Sequence, residues 1–168
     1  MNIIAQIFGF IALVLYIISL QINNKKKLLI FLAITNIFYS LQYLMLDAYS
    51  GLFISLVGMF RSIIFLKFEQ EKKDIPIYVL LLIFGIILYS GILSYNTMLS
   101  IIPISMGFIY SWATWQKNMK RFRIVCILNA SSWLLYNLIV GAYVGALSSI
   151  IEFIFAIVAL IKFDLKKQ

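Results

Sequence analysis

Two formal charges, Arg61 and Glu152, stand inside the apolar runs of this sequence and away from their ends, and recognition of charge is the chemistry they could do. If those runs cross a bilayer, a charge at its centre costs at least ~2.5–3.5 kcal/mol on the insertion scale. Such residues are kept where they pair, neutralise, or face water and a solute. One reading is an Arg61–Glu152 ion pair that ties distant parts of the chain together. Another has one or both lining a polar cavity. The two are compatible, because a pair that breaks when a solute binds is a gate. In a third, Arg61 extends its alkyl stem toward the interface marked by Lys67, about two turns further on.

Two other runs are wetter than lipid contact alone would select. Thr35, Asn36, Tyr39, Gln42 and Tyr43 lie on one, and Asn129, Ala130, Trp133, Tyr136 and Asn137 on the other. An aromatic ring with a polar edge makes a common wall for a bound solute. The candidate solute-binding set is therefore Arg61, Glu152, Tyr39, Trp133, Asn129, Tyr136, Asn137 and Asn36. The plainer alternatives are cross-helix bonds for the asparagines, each worth on the order of 1 kcal/mol. Interfacial anchoring is the plainer role of Tyr49, Tyr143, Trp112 and Trp115. Pro103 lies inside the fifth run, where it removes a backbone hydrogen bond and bends the span. Gly9 holds the matching place in the first run, so the two form a candidate hinge pair.

Other chemistry lacks its residues. The chain has no His, its one cysteine is Cys126, and no Asp/Glu pair is spaced for a metal. A Ser hydrolase would lack its usual base, and no GxxxxGK[ST] loop offers a nucleotide cradle. No enzyme activity, metal or cofactor is expected, and transport would be secondary or facilitative.

The elements that must position these residues follow from composition. The chain of 168 residues is 64% hydrophobic and 12% charged, too apolar to cover a soluble core, so bilayer is its solvent. A spanning helix needs about 20 apolar residues. Seven runs qualify, at roughly 3–22, 28–46, 51–68, 75–93, 97–116, 123–140 and 145–163. All but one of the fourteen Lys and Arg residues fall into four clusters. These are Lys25–Lys27; Lys67, Lys72 and Lys73; Lys117, Lys120, Arg121 and Arg123; and Lys162, Lys166 and Lys167. The intervening gaps Asp47–Ser50, Ser94–Thr97 and Gly141–Val144 carry no cation. Cationic loops stay cytoplasmic, which predicts an outside amino terminus, seven crossings and an inside carboxyl terminus. Met1–Gln6 has no basic n-region, so the first run reads as a retained span rather than a signal peptide. The net charge of +8 then faces anionic lipid in cytoplasmic loops, not nucleic acid.

Sliding the chain against itself by 94 residues brings Tyr16 onto Tyr110, Lys26 onto Lys120, and the turn Ala48–Tyr49–Ser50–Gly51 onto Ala142–Tyr143–Val144–Gly145. Gly51, Ser55, Gly58 and Ser62 form one helical stripe, and Gly145, Ser149, Glu152 and Ala156 its counterpart. Small-residue stripes let membrane helices approach closely. The expected fold is all-α and integral to the membrane. Residues 1–70 and 96–168 form two three-helix repeats, joined by a linker helix within 71–95. That linker inverts the chain once, so both repeats run in parallel.

Y-S-W-A-T-W at 110–115, S-W-L-L-Y-N at 132–137, G-A-Y-V-G at 141–145 and E-x-x-F at 152–155 resemble the YgjV-type bacterial inner-membrane proteins. F-R-S-I-I-F at 60–65, which holds Arg61, does so too. The three-plus-one-plus-three plan also looks like the SWEET, PQ-loop and PnuC-type transporters. In sugar carriers of that group an aromatic or small residue on the second helix and an Asn on the third line the pocket. Trp133 fits the first role, but the third helices carry Arg61 and Glu152. The Pro-Gln pair is also missing, since Ile104 follows Pro103 and Phe10 follows Gly9. The resemblance thus implies a small-solute carrier of the bacterial inner membrane for a polar or charged solute rather than a neutral sugar. A membrane receptor or a structural subunit on the same scaffold is the alternative. The expected partners are the lipid bilayer and a small-molecule solute, and small-residue faces are compatible with a homodimer.

Overall fold

A computed structural model describes residues 2–20, 25–116 and 118–161. Among these the chain is all-helical. Its helices are α1 (Ile3–Leu20), α2 (Lys25–Leu44), α3 (Tyr49–Gln70), α4 (Ile77–Ser94), α5 (Ile101–Trp115), α6 (Met119–Ile139) and α7 (Tyr143–Leu160). Local chemistry sets several boundaries. The Asn2 side chain accepts from the Ala5 N–H and opens α1, and Asn118 caps α6 by accepting from the Arg121 N–H. Asp47 and Gly141 end α2 and α6 with φ of 55° and 75°. In each case the next N–H turns back onto the helix, Ala48 to the Tyr43 carbonyl at 3.0 Å and Ala142 to that of Asn137 at 2.8 Å. These are left-handed C-terminal caps, built alike at two places 94 residues apart.

Three boundaries differ from expectation. Helix α2 begins at Lys25, so the basic triplet belongs to a helix rather than to the loop before it. In the same way α6 begins at Met119 and takes in Lys120, Arg121 and Arg123. Lys and Arg are good helix formers, and the backbone ladder runs on through them. Pro103 is not in mid-helix. A 3₁₀ turn at Met98–Ser100 precedes α5, and Pro103 is that helix's third residue. There its missing N–H would have no intrahelical partner anyway, so the premise of a bend within the span is removed. Lys117 and the cluster Lys162, Lys166 and Lys167 lie outside the described residues.

The helices close into a ring. Packing is heaviest between α1 and α2, α2 and α3, and α6 and α7, with α5 against α6 next. Thinner seams, α1 on α7 and α3 on α5, join the two groups, giving the circular order α1, α2, α3, α5, α6, α7. Helix α4 sits outside, against α3 and α5, where Ile83 and Ile87 enter an apolar core with Ile54, Val57 and Phe65. Its other face, including Leu81, Leu82, Leu88 and Ile92, is exposed.

The ring sorts its loops by charge. At one end the Asn2 amide donates to the Met45 carbonyl at 2.8 Å. The Gln6 amide donates to the Gly141 carbonyl and accepts from the Val144 N–H, at 2.9 and 3.2 Å. The start of α1 and the turns before α3 and α7 therefore share this cation-poor end. At the opposite, basic end the Trp115 indole N–H donates to the Ile75 carbonyl at 2.8 Å, and Lys73 pairs with Glu71 in water. By length and composition, four stretches can cross a membrane, Lys26–Leu44, Tyr49–Gln70, Ile77–Ser94 and Met98–Trp115. Ile3–Ser19, Arg123–Ile139 and Tyr143–Val158 are shorter apolar helices beside them.

Candidate functional site

The ring encloses a cavity to which all seven helices contribute. It holds about 890 Å³ of empty space with its mouth included, of which the centre of a water molecule can occupy about 130 Å³. That is room for several waters or a compact solute. Of the residues singled out from sequence, Arg61, Glu152, Tyr39, Trp133, Asn129, Asn137 and Asn36 line it, and Tyr136 does not.

Arg61 points inward. It is 8% exposed, its Nη1 donates to the Ser111 hydroxyl of α5 at 3.0 Å, and its Cζ lies 4.9 Å from the centroid of the Tyr110 ring. A guanidinium over an aromatic face is held by the ring quadrupole, so the expectation that Arg61 runs out along its stem to the interface is overturned. Glu152 stands on α7, across the ring from α3. Its Oε1 accepts from Asn129 Nδ2 at 3.5 Å, a long bond, and Tyr16 lies beside it. The two charges do not approach within 4.0 Å, so the sequence-predicted ion pair is not formed. They face one cavity from opposite walls.

Small residues set the wall spacing. A methyl group on Gly58 would lie 2.8 Å from Asn36 Oδ1, and one on Gly145 would lie 3.1 Å from Asn137 Nδ2. The stripes on α3 and α7 thus receive the polar side chains of α2 and α6. Gly9 has a similar duty, since a methyl there would lie 2.7 Å from the carboxamide carbon of Gln42. Its place as a seat for Gln42 explains the residue without a hinge.

Toward the cation-poor end the cavity stops at a layer one side chain thick. The Tyr43 hydroxyl donates to Asn137 Oδ1 at 2.6 Å, and its ring stacks on Trp133 at 5.8 Å. Tyr136 meets Tyr43 and Trp133 edge-on, at 5.9 and 5.6 Å. Its hydroxyl lies 2.9 Å from Ser50 Oγ and accepts from the Gly51 N–H at 3.0 Å. Ala48, which precedes α3, offers no side-chain cap, so a tyrosine from another helix supplies one. Beyond the layer lies a second, smaller space lined by Tyr136, Asp47, Ser50, Asn96 and Thr97. Tyr136, expected at the solute, instead stands between the two spaces.

Sequence reasoning missed Tyr16, Tyr110 and Ser111 as cavity residues. The signal existed for the two tyrosines, which are partners in the 94-residue alignment. Ser111 has none, because its significance depends on Arg61 crossing to it from another helix.

Helices closed about a polar, charge-bearing cavity, with an apolar exterior, define a polytopic membrane protein. The profile of the family Imp-YgjV, bacterial inner membrane protein, matches residues 3–167, and this chain belongs to that family. Comparison with curated proteins and with solved structures returned no match.

Proposed function

We propose that the protein carries a small polar or charged solute across the bacterial inner membrane by alternating access. The observation that carries this reading is the central cavity, with two charged residues on its walls that form no ion pair among the described residues, and a single side-chain layer between it and an outer vestibule. Buried charge is costly and is typical of solute pathways. Helices α1–α3 and α5–α7 act as two parallel units with α4 as connector, and the thin seams between them are where one unit rocks on the other. The cation-poor end faces outward, all seven helices cross, and the Tyr43–Asn137–Trp133–Tyr136 layer is the outer gate. The likeness to SWEET and PQ-loop carriers lies in this three-plus-one-plus-three plan.

The test is solute flux into proteoliposomes, using solutes first selected by thermal shift from a metabolite panel, since a bound ligand raises apparent stability. Arg61→Ala and Glu152→Gln should each abolish uptake while the protein still inserts. Normal uptake by both removes these residues from the mechanism, and a ligand that binds without flux favours a receptor on the same scaffold.

A further inference from the structure

We infer that the cavity takes a small zwitterion, a solute of the amino-acid class, with its carboxylate on Arg61 and its ammonium on Glu152. This rests on the solute-binding reading of the same cavity and names the chemistry of its ligand.

In the circular order of the helices α3 and α7 are diametrically opposed, so one wall carries a fixed positive charge and the facing wall a negative one. Among the described residues neither forms an ion pair, with the other or with any oppositely charged side chain, within 4.0 Å. Both keep unused capacity. Arg61 has five N–H donors, of which one goes to Ser111; Tyr110 covers a face of the guanidinium and leaves the remaining donors of its edge. The Ser111 bond and the Tyr110 ring also fix the guanidinium plane, which suits two-pronged binding of a planar carboxylate. Among the described residues Glu152 accepts the long bond from Asn129 and one from the Tyr16 hydroxyl, which leaves carboxylate lone pairs free. Between the charged walls Thr35 also lines the cavity, and its hydroxyl is buried without a hydrogen-bond partner among the described residues.

Charge balance then selects the ligand. A simple anion would satisfy Arg61 but be repelled by Glu152, and a simple cation would meet the reverse problem. A neutral sugar would leave both charges desolvated without compensation, the arrangement that buried ions tolerate least. A solute with separated opposite charges answers both walls and adds no net charge. Tyr39 and Trp133 flank the same space and would contact its side chain.

The full chain in lipid nanodiscs should be titrated with the twenty protein amino acids, each beside its decarboxylated amine and its deaminated acid, with glucose as the neutral probe. At least one amino acid should bind about tenfold or more tighter than both of its single-charge analogues, the range expected for a hydrogen bond to a charged group. Arg61→Gln should erase the preference for that amino acid over its amine, whose own binding is not weakened because the repelling guanidinium is gone. Glu152→Gln should do the same toward the acid. The proposal is overturned if no amino acid binds, if glucose or a single-charge analogue binds best, or if folded variants weaken every probe alike. The wild-type ranking decides the matter even where a variant does not fold. Zwitterion binding without flux sinks the carrier reading and leaves this one standing, whereas flux of a neutral solute that amino acids do not inhibit does the opposite.

Discussion

Tyr136 shows how one hydroxyl can serve stability and separation together. It fills a capping position that Ala48 leaves empty, because the first N–H groups of a helix have no intrahelical acceptor, and the Gly51 N–H finds the phenol instead. The ring of the same residue closes the edge of the layer against Tyr43 and Trp133. Tyr136→Phe keeps the ring and removes the oxygen. It should leave the buried Gly51 N–H and Ser50 hydroxyl without that partner, at a cost of about 1–3 kcal/mol, read as a lower thermal midpoint in detergent. The layer should also open more often. With Cys126 replaced by Ser, a cysteine at Ser148 on the cavity wall should react faster with an impermeant maleimide in the Phe variant. An unchanged midpoint together with unchanged labelling would mean that the hydroxyl neither caps α3 nor holds the layer shut.

Between elements, the α2–α3 contact is set by a glycine facing an amide. Gly58 lies against Asn36, whose Nδ2 is tied to the Leu32 carbonyl at 2.7 Å, so the side chain cannot simply swing away. Gly58→Ala should therefore force the helices apart and cost about 1–3 kcal/mol as an overpacking change. Asn36→Ala in the same chain should return most of it. A double-mutant cycle in thermal or denaturant unfolding measures the coupling, and additive effects would show that the glycine matters for another reason. This contact also marks what could be read beforehand. The stripes Gly51–Ser55–Gly58–Ser62 and Gly145–Ser149 were legible, since small residues at helical spacing have one main use in a membrane. So were the two turns at Ala48 and Ala142, where the sequence match extends to matching backbone caps. The partners were not legible. In a soluble helix the apolar face points inward, whereas here Leu and Ile cover both the lipid side and the core, and periodicity no longer tells the two apart. Hence Arg61 could be picked out as a cavity residue and Tyr110 was marked only by its repeat partner Tyr16, but nothing in the sequence singled out Ser111. Tyr136, chosen for its polar edge, proved to belong to the layer that ends the cavity. Pro103 was misjudged for a related reason, because the 3₁₀ turn that starts its helix leaves little mark in an apolar run.

For the whole molecule the decisive quantity is which end faces the cytoplasm, since it determines which side of the cavity the aromatic layer closes. The helix ring gathers Asp47, Asn96 and the Gln6–Gly141 clip at one end, and the clusters around Lys26, Lys72 and Lys120 belong to the other. Each Lys or Arg near an anionic cytoplasmic leaflet is worth about 1 kcal/mol, and several act in the same sense. The retention of cationic loops during insertion works in that direction too. Single cysteines at Asn96 and at Asn118, both exposed positions, report the two ends once Cys126, a buried thiol, is replaced by Ser. An impermeant maleimide applied to intact cells with a permeabilised outer membrane should label the Asn96→Cys protein. It should reach the Asn118→Cys protein only after the inner membrane is breached. The opposite pattern would put the basic loops outside. The Tyr43–Asn137 layer would then bar the cytoplasm, and a solute would meet Arg61 and Glu152 from the periplasm first. Labelling of both sites from outside would mean that the ring does not traverse the membrane along its long axis, and a carrier built on two rocking units would lose its frame.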